Sequence, residues 1–325
     1  MVIDSEKTVR TASEGGRRPI MVAVGGDSGT GKTTLCRGLF NIFGGARIET
    51  ICLDDYHSLD RIQRTMLGLT ALDPRANNFA AMEDQLAQLR DGHGIDKPIY
   101  DHSNGTLRGP EHVEPRDIIL VQGLFPLYTR ALRSLFDVTV WLDPEEDLKV
   151  AWKVQRDVTQ RGYTEDAVRA EIKKRQPDIA AHIAPQGAHA DLRVRFLRPE
   201  GGTIAYDNAT LTARIQKSGR FKPLDYSEFA SKSTSFRELK GTIGVGPHPE
   251  TVIELDGRVD DGTSLELQNN IWKNMESHAH LRPPDLGTFS DSHGVRVSHS
   301  LALAQLLIAR RIALVENQLF GQPVQ

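Results

Sequence analysis

Apolar residues in this chain fall into alternating strand-like and helix-like patterns. Ile20–Val24 is an unbroken apolar run closed by glycines, which reads as a strand buried on both faces. Over Thr33–Phe43, Leu35, Leu39, Ile42 and Phe43 recur at helical spacing, and Gly44-Gly45 ends the element. Arg47–Leu53 predicts a second strand that runs straight into two acids. Asn78–Arg90 predicts a helix with Phe79, Met82, Leu86 and Leu89 on one stripe. Short strands are expected at Asp117–Val121 and Val138–Leu142, then a helix over Pro144–Gln160. This alternation predicts an α/β fold with a doubly wound, mainly parallel sheet. Ligands of such sheets bind at the carboxyl ends of the strands. The segments that follow the strands are therefore the informative ones: the glycine loop at 25–31, Asp54 and Asp55, and Gln122-Gly123.

After about residue 198 Gly and Pro become frequent, with β-like runs at Thr203–Tyr206, Leu211–Ile215 and Val252–Leu255. Ser298–Val315 predicts a largely buried helix, too short and, with Arg310 and Arg311, too charged to span a bilayer. The expected organisation is a polar tail over 1–18, a core over 19–199, and an α+β extension over 200–325. The extension is expected to pack on the same sheet and is a candidate for dimer contacts.

Composition narrows the function classes. The 325 residues carry 40 Lys+Arg and 43 Asp+Glu, a net charge of −3, with 39% apolar and 26% charged residues. That is a globular balance, and it argues against a dedicated nucleic-acid binder. No apolar run reaches the roughly 18 residues of a membrane span. The first 18 residues hold Asp4, Glu6 and Glu14 without an apolar core, unlike a secretory signal. Two cysteines, Cys36 and Cys52, exclude a disulfide scaffold or a thiolate zinc cage. The expectation is a cytoplasmic enzyme with neither nucleic-acid nor membrane partners.

Gly26-Asp27-Ser28-Gly29-Thr30-Gly31-Lys32-Thr33 fits G-x-x-x-x-G-K-[ST] between a predicted strand and a predicted helix. Its backbone N–H groups and the helix N-terminus suit the phosphates of ATP, with Thr34 on the same turn. Lys32 is expected to reach the β/γ-phosphates, and the Thr33 hydroxyl to help hold Mg²⁺. No N-K-x-D guanine signature occurs in the chain.

Leu53-Asp54-Asp55-Tyr56-His57-Ser58-Leu59-Asp60-Arg61 follows the second strand. A carboxylate facing the γ-phosphate can take a hydroxyl proton and orient the oxygen for in-line attack. If the stretch turns helically, His57 and Arg61 project on the side of Asp54, suited to an anionic acceptor. The alternative is a turn with solvated acids. Farther on, Lys153, Asp157 and Arg161 fall at i, i+4 and i+8, with Arg156 beside them. Three cations around one acid suit a phosphoryl-transfer site. A solvated face with ion pairs is the plainer reading of that spacing.

These residues resemble a family. The P-loop and the DDYHSLDR string do so, as do Leu72-Asp73-Pro74-Arg75-Ala76-Asn77-Asn78-Phe79, Lys97-Pro98-Ile99-Tyr100, and Ala151–Asp157 with Arg161-Gly162. They are similar to phosphoribulokinases of the P-loop phosphoribulokinase/uridine kinase family, densely over residues 20–198 and faintly beyond. The likeness is closest to the longer, dimeric forms of plants, cyanobacteria and archaea. It implies ATP- and Mg²⁺-dependent phosphorylation of O1 of D-ribulose 5-phosphate by a homodimer. It assigns Asp54 as general base, His57 and Arg61 as sugar-phosphate contacts, and Tyr100 and His102 as lining of the same pocket. Lys153, Arg156, Asp157 and Arg161 match positions tied to catalysis and substrate binding.

Two positions depart from the pattern. Gln122 stands where the family strand ends in Glu, and an amide is a weaker ligand for a hard cation. In the first reading, Asp54 or Asp55 and water supply what is missing at the metal position, alongside Thr33. Otherwise the acceptor is a nucleoside or another sugar, or the chain binds nucleotide with weakened transfer. Second, Thr30 occupies the P-loop position that carries a redox cysteine in plant members, so no thiol switch is expected. His278, His280, His293 and His299 show no metal-ligand spacing.

Overall fold

The computed structural model describes residues 17–199, 207–217, 236–240, 251–273, 275 and 283–321. Most of the expected tail, the run Thr203–Tyr206, His278 and His280 lie outside them. Strand β1 (Ile20–Gly26) is buried along its whole length. Ile20, Val22 and Val24 enter one apolar cluster, and Met21 and Ala23 a second. Both faces of the strand are covered, which is why its sequence shows no alternation.

Five of the eight strands of the main sheet run parallel, in the order β2 (Ile48–Cys52), β5 (Ile118–Gly123), β1, β6 (Val138–Leu142) and β7 (Leu192–Leu197). The sheet continues antiparallel through β8 (Thr212–Lys217), β10 (Thr251–Leu255) and β9 (Phe236–Lys240). The α/β, mainly parallel and doubly wound reading holds. Of the described residues past 207, these three strands extend the sheet itself, while the helices Asp261–Lys273 and His299–Phe320 pack into the first apolar cluster. Helix α1 (Lys32–Phe43) packs Leu35, Leu39, Ile42 and Phe43 into the first cluster. Helix α3 (Phe79–Arg90) packs Met82, Leu86 and Leu89 into the second, on the opposite face. The helix His299–Phe320 starts at an N-cap whose Ser298 side chain accepts from Leu301 N, and it runs five residues beyond the expected end.

Other elements lacked an apolar period. β3 (Ile95–Asp101) and β4 (Thr106–Val113) pair as a separate hairpin, and nearly all of β4 is exposed. Helix α6 (Glu165–Asp178) buries only Val168. No described helix is long and apolar enough to cross a membrane.

The chain around Asp54 corrects one expectation. It forms a 3-10 turn over Leu53–Tyr56, and a separate helix α2 (Arg61–Met66) starts behind an Asp60–Gln63 capping box. No single helix carries Asp54, His57 and Arg61. The DDYHSLDR and DPRANNF strings are instead bonded to each other, Ser58 N to Ala76 O at 3.0 Å and Asn78 N to Tyr56 O at 2.8 Å.

Candidate active site

Register places the site. Cys52, Gln122 and Val24 form one row across β2, β5 and β1. Two residues past that row lie Gly26, the last residue of β1, and Asp54, in the 3-10 turn that follows β2. The P-loop and the acid therefore emerge side by side at the carboxyl edge, flanking Gln122.

Helix α5 (Glu146–Arg161) lies against the loop tip. Gly29 has φ +88°, and a Cβ on it would stand 2.8 Å from Lys153 Cβ, so only glycine fits. Arg156 Nη2 donates to Ser28 Oγ at 3.1 Å, and Lys149 Nζ lies 3.0 Å from Asp27 Oδ2. Thr30 is buried and donates to Asp27 O at 2.9 Å. Gly31 precedes α1, whose first turn carries Lys32, the exposed Thr33 and Thr34. Lys32 Nζ donates to Gly26 O at 2.8 Å and Asp27 O at 2.7 Å. Burial pushes this ammonium below its usual range, against the opposing charges of Asp54 and Asp27.

The two consecutive acids have different fates. Asp55 is buried and accepts from Lys97 Nζ at 2.8 Å and Tyr100 N at 2.9 Å. Asp54 keeps an open carboxylate, its Oδ2 3.9 Å from His102 Nε2. Its charge also acts on His57, Arg161 and Lys32.

His57 is buried, with Nδ1 2.8 Å from Asn77 Oδ1, and Asn77 Nδ2 is itself anchored on Ala71 O and Asp73 O. The Tyr100 ring stands edge-on to His57 at 4.8 Å and to His102 at 5.0 Å. Burial holds both imidazoles below their usual range. Arg61 donates to His102 O at 2.8 Å, so the hairpin, not a shared helix, brings Arg61 to the site.

Asp157 is the hub of the third group. Lys153 Nζ lies 2.7 Å from its carboxylate, Arg156 Nη2 2.8 Å and Arg161 Nη1 3.4 Å. Burial alone would raise this carboxyl. The Lys153 hydrogen bond and the three cations hold it below the usual carboxylate range. Burial pulls Lys153 and Arg161 down as well. His102 is influenced by Arg161 and Arg156 as well as by Asp54, so hairpin, acid and α5 meet at one place.

Sequence reasoning missed three contributors. Asn77 orients His57. Arg64 is buried and donates to Tyr100 Oη at 2.7 Å, with its guanidinium 5.3 Å from that ring. Lys149 holds Asp27, and it continues the i, i+4 series of Lys153, Asp157 and Arg161 back by one turn, a signal that was available. Among the described residues no three His, Cys, Asp or Glu side chains cluster as a metal site. His299 pairs with Asp261 at 2.9 Å instead.

A phosphate loop, an open acid beside it and a cluster of cations, all at the carboxyl edge of a parallel sheet, define a P-loop kinase. Residues 21–200 match the model of the Phosphoribulokinase / Uridine kinase family, and the chain belongs to that family. A phosphoribulokinase of Synechocystis is 48% identical over 180 residues, covering 55% of this chain and 54% of that protein. The match thus spans about half the length of that relative. The chloroplastic phosphoribulokinase of Mesembryanthemum crystallinum is 36% identical over 291 residues, covering 79% of this chain and 73% of that one. The solved phosphoribulokinase from Rhodobacter spheroides shares the fold, with a TM-score of 0.58 at 16% identity over 81% of this chain and 98% of that chain.

Proposed function

We propose that the chain transfers the γ-phosphoryl group of ATP to O1 of D-ribulose 5-phosphate, giving ribulose 1,5-bisphosphate. The observation that carries the reading is the open Asp54 carboxylate, set between the Lys32 loop and the His57–His102–Arg61 group while its neighbour Asp55 is tied up.

In this reading Asp54 accepts the O1 proton and orients the oxygen toward the γ-phosphorus. Lys32, with the backbone N–H groups of residues 29–34, binds the β- and γ-phosphates. Arg156 and Arg161 neutralise charge on the transferring group. Lys153 lies in the same cluster, and Asp157 keeps the three side chains aimed rather than meeting substrate itself. Arg61, His57, His102 and Tyr100 receive the sugar phosphate, and their cationic surroundings favour an anionic acceptor over a nucleoside.

Thr33 hydroxyl, Asp54 carboxylate and Gln122 carbonyl are the oxygens available to Mg²⁺. One carboxylate and two neutral oxygens fit an ion that is bound mainly through nucleotide phosphates and water. When bound, Mg²⁺ supplies charge neutralisation at the β/γ oxygens. A homodimer and a cytoplasmic location belong to the same reading.

The test is ADP release with ribulose 5-phosphate, ribose 5-phosphate, uridine and no acceptor. The reading requires a clear preference for ribulose 5-phosphate. Equal or greater release with uridine overturns it.

A further inference from the structure

Helix His299–Phe320 buries mostly apolar side chains, and among them Gln305 sits in its middle at 1% exposure. An amide in that position is costly unless both its ends are bonded. Both are. Nε2 donates to Thr34 O at 3.2 Å, in the first turn of α1, and Oε1 accepts from Gly287 N at 2.9 Å.

The α1 side of this contact is shaped to receive it. A Cβ on Gly38 would lie 2.0 Å from Gln305 Nε2 and 2.1 Å from Cδ, so any other residue at 38 would expel the amide. Glycine inside a helix costs about 1 kcal/mol relative to alanine. Here it opens the socket. Two more tethers run along the same helix, Arg37 Nη2 to Thr288 O at 3.1 Å and Asn41 Nδ2 to Asp285 Oδ2 at 2.7 Å. The turn that carries Lys32, Thr33 and Thr34 is therefore braced, through one side chain, by a segment some 270 residues away.

We propose that Gln305, seated against Gly38, is a positioning residue of the nucleotide site: through its bond to Thr34 O its amide sets the first turn of α1 for phosphate binding. The proposal rests on the reading that the P-loop binds ATP. A first turn held in place presents its N–H groups and the Thr33 hydroxyl without first being ordered by the ligand.

The experiment measures the ATP·Mg²⁺ dissociation constant by calorimetry and KM for ribulose 5-phosphate. It compares wild type, Gln305→Met, Gly38→Ala and Leu307→Ala. Methionine keeps the length of Gln305 but cannot donate. Alanine at 38 evicts the amide from the opposite side. Leu307 lines a cavity with Ile215 and Ile253 on the sheet side of the helix, and serves as a purely structural control. The expected result is ATP binding weakened about 3–10-fold in both Gln305→Met and Gly38→Ala. KM for the sugar phosphate should stay within about twofold, the size of a minor contact change. Leu307→Ala should lower Tm without moving ATP affinity. Wild-type ATP affinity in both socket variants overturns the proposal, as does an equal loss in Leu307→Ala. A wild-type protein that binds no ATP overturns the nucleotide reading and this proposal with it.

Discussion

Lys97 Nζ donates to Asp55 Oδ2 at 2.8 Å across 42 residues, and this bond decides which of two consecutive acids stays open. Asp55 also accepts from Tyr100 N, which fixes the β3–β4 hairpin against the 3-10 turn. Asp54 is left facing the phosphate loop. The two acids should therefore fail differently when neutralised. Asp54→Asn should lower kcat about 10²–10⁴-fold with ATP binding retained. Asp55→Asn should cost about 1–3 kcal/mol of stability, softened because Glu111 also meets Lys97 at 2.9 Å. Steady-state kinetics with chemical denaturation separates them. A stable Asp54→Asn enzyme with wild-type turnover would refute the assignment of the base.

Asp157 holds three cations, two of them on side chains still partly exposed. Asp157→Asn leaves the buried Lys153 ammonium without its counter-charge and should destabilise the fold by about 3 kcal/mol. Arg156 and Arg161 lose their common anchor, so KM for both substrates should rise. Thermal melts and kinetics on the variant check this. Unchanged melting would mean that the hub does not hold α5 together.

Gln122 lies in register between Val24 and Cys52, at the centre of the edge where nucleotide and acid meet. A Gln122→Glu change adds a hard, charged oxygen there. The Mg²⁺ concentration giving half-maximal rate should fall. Titrating Mg²⁺ at fixed ATP measures it, and an identical curve would remove Gln122 from the cation's surroundings.

His57 is held below its ordinary value near 6.5, first by burial. The unfolded chain therefore binds a proton that the folded state resists as pH falls past about 6.5, so stability is full above that pH and is lost below it. Tm of the ligand-free protein should drop between pH 7 and pH 5, less steeply in His57→Asn. Parallel slopes in the two proteins would show that another group titrates.

Burial pushes the Cys36 thiol up to about 12, and burial with Asp54 and Asp55 raises Cys52 further. Both cysteines are free. Mild oxidation should leave activity unchanged, because neither forms much thiolate at neutral pH. A reversible, several-fold inhibition by oxidised dithiothreitol would contradict that.

Elements whose residues repeat with an apolar period were legible without the structure. β1 announces itself as an unbroken apolar run and β6 as a short, mostly apolar one, α1 and α3 by their stripes, and the P-loop by its glycines and Lys32-Thr33. A doubly wound sheet with a phosphate site at its carboxyl edge follows from those alone, because short-range periodicity reports which faces must be buried. The i, i+4 spacing of Lys153, Asp157 and Arg161 was equally readable, since one helix holds all three.

Three-dimensional contact decided the rest. That Asp54 rather than Asp55 remains open depends on Lys97 and on the backbone of Tyr100, both in a hairpin whose outer strand is too polar to show a period. His57 is aimed by Asn77, and Arg61 reaches the site through His102 O, although no helix joins them. The socket of Gly38 and Gln305 looks in the sequence like one weak helix residue and one misplaced amide. Each makes sense only against the other, because local propensity carries no information about a partner 267 positions away in the chain.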